Sequence, residues 1–152
     1  MTYTRSILGF SGEYRFLSNF YPVEFEVDGE LYTSSEQFYM AAKCLDPFER
    51  AKIMAFDKPS MIKKLGSKVK LIDGWDDGLR DKAMMTALKA KFSTPKLKGS
   101  LYMTTGAYLE ETNHWGDIYW GVCDGVGQNK LGRMLMWLRD HHLFKKFEDC
   151  PQ

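Results

Sequence analysis

The chain has 152 residues, of which 44% are hydrophobic and 27% charged, and its formal net charge is +1. That length is enough for one domain with a real core, expected over residues 1–152, and the composition is ordinary for a soluble globule. No run is apolar for long enough to span a bilayer, and Met1-Thr-Tyr-Thr-Arg5 lacks the basic-then-apolar pattern of a secretion signal.

Taken in order, Ser6-Ile-Leu-Gly-Phe10 is a short apolar run that suits a strand. Ser11 to Pro22 is rich in turn formers and aromatics without a period, so it is predicted as an ordered loop. Val23-Glu-Phe-Glu-Val27 alternates at period two. Asp28-Gly29 follows, then Glu30-Leu-Tyr-Thr33, which predicts a hairpin on a type I′ turn. The hairpin delivers the chain to a helix from Ser35 to about Leu45, with Phe38, Tyr39, Ala42 and Leu45 on one face. Thr33 and Glu36 have capping-box spacing, so Glu36 can fold back onto the helix end. A carboxylate at a strand-to-helix junction can equally sit at the floor of a site for an anionic ligand.

Asp46-Pro47-Phe48-Glu49 restarts a helix, again with capping-box spacing, to about Phe56. Pro59 begins a short helix ending near Gly66, a residue suited to the position just past a helix. Lys68 to Ile72 is an extended or turn-like link. Trp75 to Phe92 is predicted as the longest helix, with Trp75, Leu79, Ala83, Leu88 and Phe92 as its apolar stripe. Another helix runs from Pro95 to about Tyr102, Ala107 to Glu110 is a short strand, and a last helix spans about Asn129 to Arg139 with Leu131, Leu135 and Leu138 inward. Strands do not alternate with helices, so the expected class is α+β, predominantly helical, with an N-terminal hairpin and a few short strands.

Three cysteines, Cys44, Cys123 and Cys150, form no C-x-x-C pair. A disulfide framework is therefore not expected, and a cytoplasmic setting is. His141 and His142 are adjacent, hence about 100° apart on a helix, and chelate poorly; neither a bound metal nor a cofactor is expected. The near-neutral total hides an asymmetry: residues 58–98 carry eleven basic and four acidic side chains, while the segments on either side are net negative. Such a flank suits a phosphate-bearing substrate or nucleic acid, although solvated helix faces produce the same pattern. Aromatic residues reach 14%, a surplus that serves packing or stacking on bases.

Two irregular stretches could carry chemistry. One is Phe16-Leu-Ser-Asn-Phe-Tyr-Pro22. The other, residues 115–132, holds Trp115, Asp117, Tyr119, Trp120, five glycines and Asn129. Loops of this kind present backbone N–H groups and small polar side chains to phosphates and sugar hydroxyls, and they also serve as plain turns around core rings. Lys43, two helical turns past Glu36, can reach a phosphate or pair with Glu36. Trp120 can stack on a base, whereas Trp75 suits the core. Lys130 and Arg133 stand near the start of the last helix, where a phosphate could bind.

In this order, Phe16-Leu-Ser-Asn-Phe-Tyr-Pro22, Val27-Asp-Gly29, Tyr32-Thr-Ser-Ser-Glu-Gln-Phe-Tyr-Met-Ala-Ala-Lys43, Asp117-Ile-Tyr-Trp-Gly121 and Gly127-Gln-Asn-Lys-Leu-Gly132 resemble the NADAR family, also called YbiA-like. The resemblance covers about residues 8–140. It implies an N-glycosidase acting at the anomeric carbon of a ribose attached to nitrogen. Some members hydrolyse phosphorylated ribosylamino-pyrimidine intermediates of riboflavin synthesis, and others remove ADP-ribose from guanine bases of nucleic acid.

By motif position, the resemblance makes Glu36 the catalytic carboxylate and puts Asp117, Trp120 and Asn129 in one pocket motif and Ser18 and Asn19 in another. From the chemistry of C–N cleavage Asp117 is the second candidate, to grip ribose hydroxyls or aid proton transfer. Ser18, Asn19, Phe20, Lys43, Trp115, Trp120, Gly121, Asn129 and Lys130 are then expected around substrate. The family usually has Glu followed by His in the helix motif; this chain has Glu36-Gln37, so any role of that His is absent or altered. The expected ligand is ADP-ribose or a phosphoribosyl group, ahead of all on guanine in DNA, next on the riboflavin intermediate. A non-catalytic module binding ADP-ribose or NAD is the remaining alternative. Neither a membrane nor an obligate protein partner is expected.

Overall fold

A computed structural model describes residues 2–142. In chain order its elements are β1 (Arg5–Leu8), a 3-10 turn (Gly12–Leu17), β2 (Phe25–Val27), β3 (Glu30–Tyr32), α1 (Ser35–Ala42), α2 (Pro47–Met54), α3 (Pro59–Gly66), an irregular helical turn (Trp75–Leu79), α4 (Arg80–Lys91), α5 (Pro95–Tyr102), β4 (Ala107–Glu110), β5 (Thr112–Asn113), β6 (Val122–Cys123), α6 (Lys130–Trp137) and a closing helical turn (Leu138–His142). The class is mixed α+β and mostly helical, as expected. Among the described residues no helix is long and apolar enough to cross a membrane. The chain forms two compact units, Asn19–Thr94 and Met1–Ser18 with Pro95–Gln152.

The Asn19–Thr94 unit is built around α1. β2 and β3 pair antiparallel across Asp28 and Gly29, whose φ angles of 51° and 81° make the predicted I′ turn. Phe25 and Tyr32 stack across the pair, and Tyr32 meets Phe38 edge-on. Helix α1 then packs against α2, α3 and α4. Surrounded in this way, it buries Ser35, Glu36, Gln37, Tyr39, Met40 and Ala41, rather than the single face expected from its apolar residues. It also stops earlier, at Ala42. Cys44 bridges to Leu71, and the Leu45 N–H donates to the Lys70 carbonyl, so the chain leaves the helix to pair with the 68–72 link and Leu45 is exposed.

Two further expectations are corrected here. Gly66 is the last residue of α3, not a left-handed position beyond it: a Cβ there would strike the Met40 side chain, so this glycine exists to let α3 lie against α1. The long helix begins at Arg80, not Trp75, because Gly78 takes φ 97° and Asp77 is non-helical, which breaks the first turn. The buried face of α4 is Met84, Ala87, Leu88 and Lys91, spaced i, i+3, i+4, i+7, while Leu79 is exposed. Trp75 is core, its ring tilted against Tyr39. Arg50 joins α2 to the hairpin, donating to both carboxylate oxygens of Glu30 at 3.0 and 2.5 Å and to the Tyr32 hydroxyl at 2.9 Å.

In the other unit β1 pairs parallel with β4, Ile7 opposite Leu109, and β5 pairs parallel with β6. Helix α6 packs on β4 with Leu131 and Leu135 inward and Leu138 buried just beyond. Gly132 permits this approach, since a Cβ would meet the Leu109 carbonyl and the Asn129 amide. Arg139 is buried with its donors used: Nη1 donates to the carbonyls of Thr104 and Ala107, Nε and Nη2 to Asp140. Cys44 and Cys123 are free thiols. Cys150 and the His142 side chain lie outside the described residues.

Candidate active site

The start of α1 explains how Glu36 is held. The N-cap is Ser34, whose hydroxyl accepts the Gln37 N–H at 3.1 Å. Gln37 Oε1 returns to accept the Thr33 N–H at 2.9 Å and its hydroxyl at 3.2 Å. The capping box read onto Thr33 and Glu36 is thus made one residue later, by Ser34 and Gln37. The other side of the Gln37 amide donates to the Phe56 carbonyl at 2.9 Å and the Ile53 carbonyl at 3.4 Å, closing the end of α2. Gln37 is a fastener between two helices, and sequence reading missed that because its partners lie 16 and 19 residues away.

Glu36 is 5% exposed. Its N–H donates to the Asn19 carbonyl at 3.1 Å, and the Asn19 side-chain oxygen accepts the Ser35 hydroxyl at 2.9 Å. Asn19 is therefore stitched to the first turn of α1, which fixes the loop bearing Phe20 and Tyr21. Phe20 is exposed, with Lys63 Nζ 5.8 Å from its ring centre. Lys91 is fully buried, with Nζ 5.8 Å from the Tyr21 ring centre and 5.1 Å from that of Phe92. The sequence reading had counted Lys91 only as charge.

Lys43 ends α1 and is half-buried. Burial pushes its ammonium below the ordinary value, and the field of the Glu36 carboxylate pulls it partly back. The seven-residue spacing anticipated this electrostatic link. A carboxylate taken out of water is costly to build, and buried carboxylates are enriched at reactive sites.

The 115–132 region belongs to the other unit and is organised by Asn113. Its amide accepts the Asp117 N–H at 3.0 Å and donates to the Asp117 carbonyl at 2.8 Å. Asp117 Oδ1 in turn accepts the N–H groups of Tyr119 and Trp120, at 3.1 and 2.9 Å. This carboxylate shapes its own turn. The N–H groups of Asn129, Lys130 and Leu131 donate to the carbonyls of Gly121, Tyr119 and Trp120, so the start of α6, foreseen as a phosphate seat, spends these amides inside the chain.

Asn129 is buried at φ 50°. Its Oδ1 accepts the Glu111 N–H at 3.0 Å and its Nδ2 donates to the Leu109 carbonyl at 2.9 Å, which makes it a strut between β4 and α6. Gly121 is buried where a Cβ would strike the Glu111 carbonyl. Lys130 Nζ donates to the Tyr119 hydroxyl at 3.1 Å, and Tyr119 meets Trp120 edge-on. Trp115 is exposed, together with Ile118 and Val126. Ser18 closes the 3-10 turn, its N–H donating to the Arg15 carbonyl. Among the described residues no cluster of three or more His, Cys, Asp or Glu could hold a metal.

The NADAR domain family model matches residues 9–142, running through both units. The chain is 33% identical over 140 residues to N-glycosidase YbiA of Escherichia coli K12, covering 90% of this chain and 86% of that one. It is 34% identical over 130 residues to a riboflavin biosynthesis protein of Vibrio vulnificus, covering 82% of this chain but 35% of the longer relative. The NMR structure of the E. coli protein YbiA superimposes with a TM-score of 0.86 at 31% identity, over 100% of this chain and 92% of that one. The chain belongs to the NADAR family and is an N-glycosidase, a hydrolase of N-glycosyl compounds.

Proposed function

We propose that Glu36 is the carboxylate that meets the anomeric carbon, and that the substrate is ADP-ribose N-linked to guanine in DNA. The observation that carries the first part is the burial of Glu36 on a doubly fastened helix start. As the C1–N bond breaks, positive charge spreads over C1 and the ring oxygen, and the Glu36 carboxylate stabilises it. Water adds to C1, Glu36 takes the proton that water loses, and that proton passes on to the leaving nitrogen, which returns Glu36 to its carboxylate form. The products are ADP-ribose with a free anomeric hydroxyl and the unmodified base. Lys43 suits a phosphate oxygen or a pairing with Glu36, and Phe20 is exposed for stacking on a base. Asn19 positions the Phe20 loop. In the other unit, Trp115 is the exposed ring of the 115–132 loop, and Asp117, Asn113, Gly121 and Asn129 maintain its shape.

The exposed lysines of 58–70 support a nucleic-acid acceptor. A second substrate, a phosphorylated ribosylamino-pyrimidine, is favoured by the relatives named for riboflavin biosynthesis. The test is a product assay in which the protein meets an ADP-ribosylated DNA oligonucleotide, the phosphoribosylaminopyrimidine and NAD side by side. Release of ADP-ribose from the DNA, with the other two intact, is the expected result. Turnover of the pyrimidine alone would replace the first reading with the second. Binding of ADP-ribose without any turnover would leave a binding module.

A further inference from the structure

Residues 58–70 contain Lys58, Lys63, Lys64, Lys68 and Lys70 and no acidic residue. All five lysines are exposed. They are carried by α3 and its two ends, so the backbone that bears them has a fixed shape. Helix electrostatics account for Lys63 and Lys64, which sit in the last turn at the negative end of the helix. They do not account for Lys58, which stands at the N-cap, where a cation opposes the dipole, nor for Lys68 and Lys70 beyond the helix.

This face is tied to Glu36 by two routes within one unit. Through the loop, the Glu36 N–H holds the Asn19 carbonyl, Phe20 is the next residue, and Lys63 lies over the Phe20 ring. Through the core, Gly66 lets α3 press on Met40, one turn past Glu36. Phe56 and Met61, beside and within the run, are also exposed.

We propose that the 58–70 face is the dock for the phosphodiester backbone of a DNA strand, with Phe20 at its inner end against a base. The inference rests on the DNA reading above and deepens it. Cations this dense repel one another, and a polyanion relieves that repulsion by releasing its own counterions. A helix of eight residues is about 12 Å long. It therefore spans three or four base steps of a duplex, at about 3.4 Å of helix axis per phosphate of one strand. An exposed ring beside such a track is the usual platform for an unstacked base.

The test uses the full chain with Lys58, Lys64, Lys68 and Lys70 changed together to Gln, leaving Lys63 on Phe20, and checks folding by circular dichroism. Anisotropy with an unmodified fluorescent DNA oligonucleotide is read across a salt series. The wild type is expected to bind more weakly as salt rises. The variant should bind about tenfold or more weaker at low salt, with a log–log salt slope shallower by up to about 3. Equal binding by the two proteins, or none by the wild type, overturns the dock.

A second arm compares the ratio of kcat/KM on ADP-ribosylated oligonucleotide to that on ADP-ribosylated guanosine. The ratio should fall about tenfold in the variant at low salt and approach the wild-type ratio at high salt. A ratio that does not move overturns the dock while leaving the acceptor reading intact. A wild type that binds DNA but releases no ADP-ribose from it sinks the acceptor reading, and the anisotropy result then decides the dock alone.

Discussion

Two carboxylates stand near the starts of turns in this molecule, and their surroundings differ. Asp117 spends Oδ1 on the N–H groups of Tyr119 and Trp120 and is clamped at N–H and carbonyl by Asn113. Glu36 stands at the second position of α1, but the capping hydroxyl there comes from Ser34 and the returning amide from Gln37. Asp117 remains half-buried in a loop, whereas Glu36 is buried in the first turn of a helix. A carboxylate that shapes backbone gains its keep from local hydrogen bonds. Glu36 is buried where Ser34 and Gln37 supply the cap, the arrangement that the proposed catalytic role draws on.

The sharpest way to break this contrast is Glu36→Gln. The amide keeps the shape and removes the charge, so turnover should fall on the order of 10³-fold while ADP-ribose still binds. Product release by chromatography and calorimetric binding read the two effects separately. Undiminished turnover would make Glu36 a structural acid like Asp117.

The next effect is on stability. Gln37→Ala strips partners from the Thr33 N–H and the Phe56 carbonyl, inside a fastening 1% exposed, and should cost about 2 kcal/mol in urea unfolding. A loss below about 0.5 kcal/mol would mean that the fastening is not what fixes Glu36.

Asp117 supplies the opposite pole. Asp117→Ala should cost about 1 kcal/mol, as loss of a cap does, while Asp117→Asn, which keeps the Oδ1 acceptor, should cost little. Turnover of the Asn variant should stay far above that of Glu36→Gln. If the two fell alike, Asp117 would act in the chemistry as well as in its turn.

The smallest effect sharpens the comparison with a third carboxylate, Glu30. Its hydrogen bond from Arg50 holds it below the ordinary carboxylate value. A carboxyl whose folded value lies below its unfolded one contributes stability at neutral pH. That contribution is lost as pH falls through the folded value. With Glu30 and Arg50 both partly exposed, solvent screening limits the pair to roughly 0.5 kcal/mol. Arg50→Gln should therefore be slightly less stable than wild type at pH 7, and the difference should shrink under acid. A difference independent of pH would point to Tyr32 packing instead.

Much of the local structure was legible. Asp28-Gly29 specified its turn because positive φ at two successive residues restricts the choice to a few residue types. Pro47, Pro59 and Pro95 marked three helix starts because a proline costs nothing at the first helical position. The ordered motifs resembled the NADAR family, and family membership and fold followed. What stayed hidden were roles defined by a partner far along the chain. Gly66 read as a helix terminator until Met40 was seen against it, and nothing local to Asn129 showed that its amide would tie Glu111 to Leu109. The stretch from Trp75 looked helical because periodicity registers apolar spacing and is blind to the break that Gly78 makes.

The division has one physical cause. Backbone preference and hydrophobic spacing act over a few neighbouring residues, so sequence by itself determined the hairpin, the helix starts, the class of fold and the presence of Glu36 at a junction. Which polar group is buried, and what satisfies it there, depends on residues brought together from distant positions. Only the tertiary structure decided that Gln37 fastens, Asp117 shapes its own turn and Glu36 is buried, because a buried polar group takes its role from its surroundings.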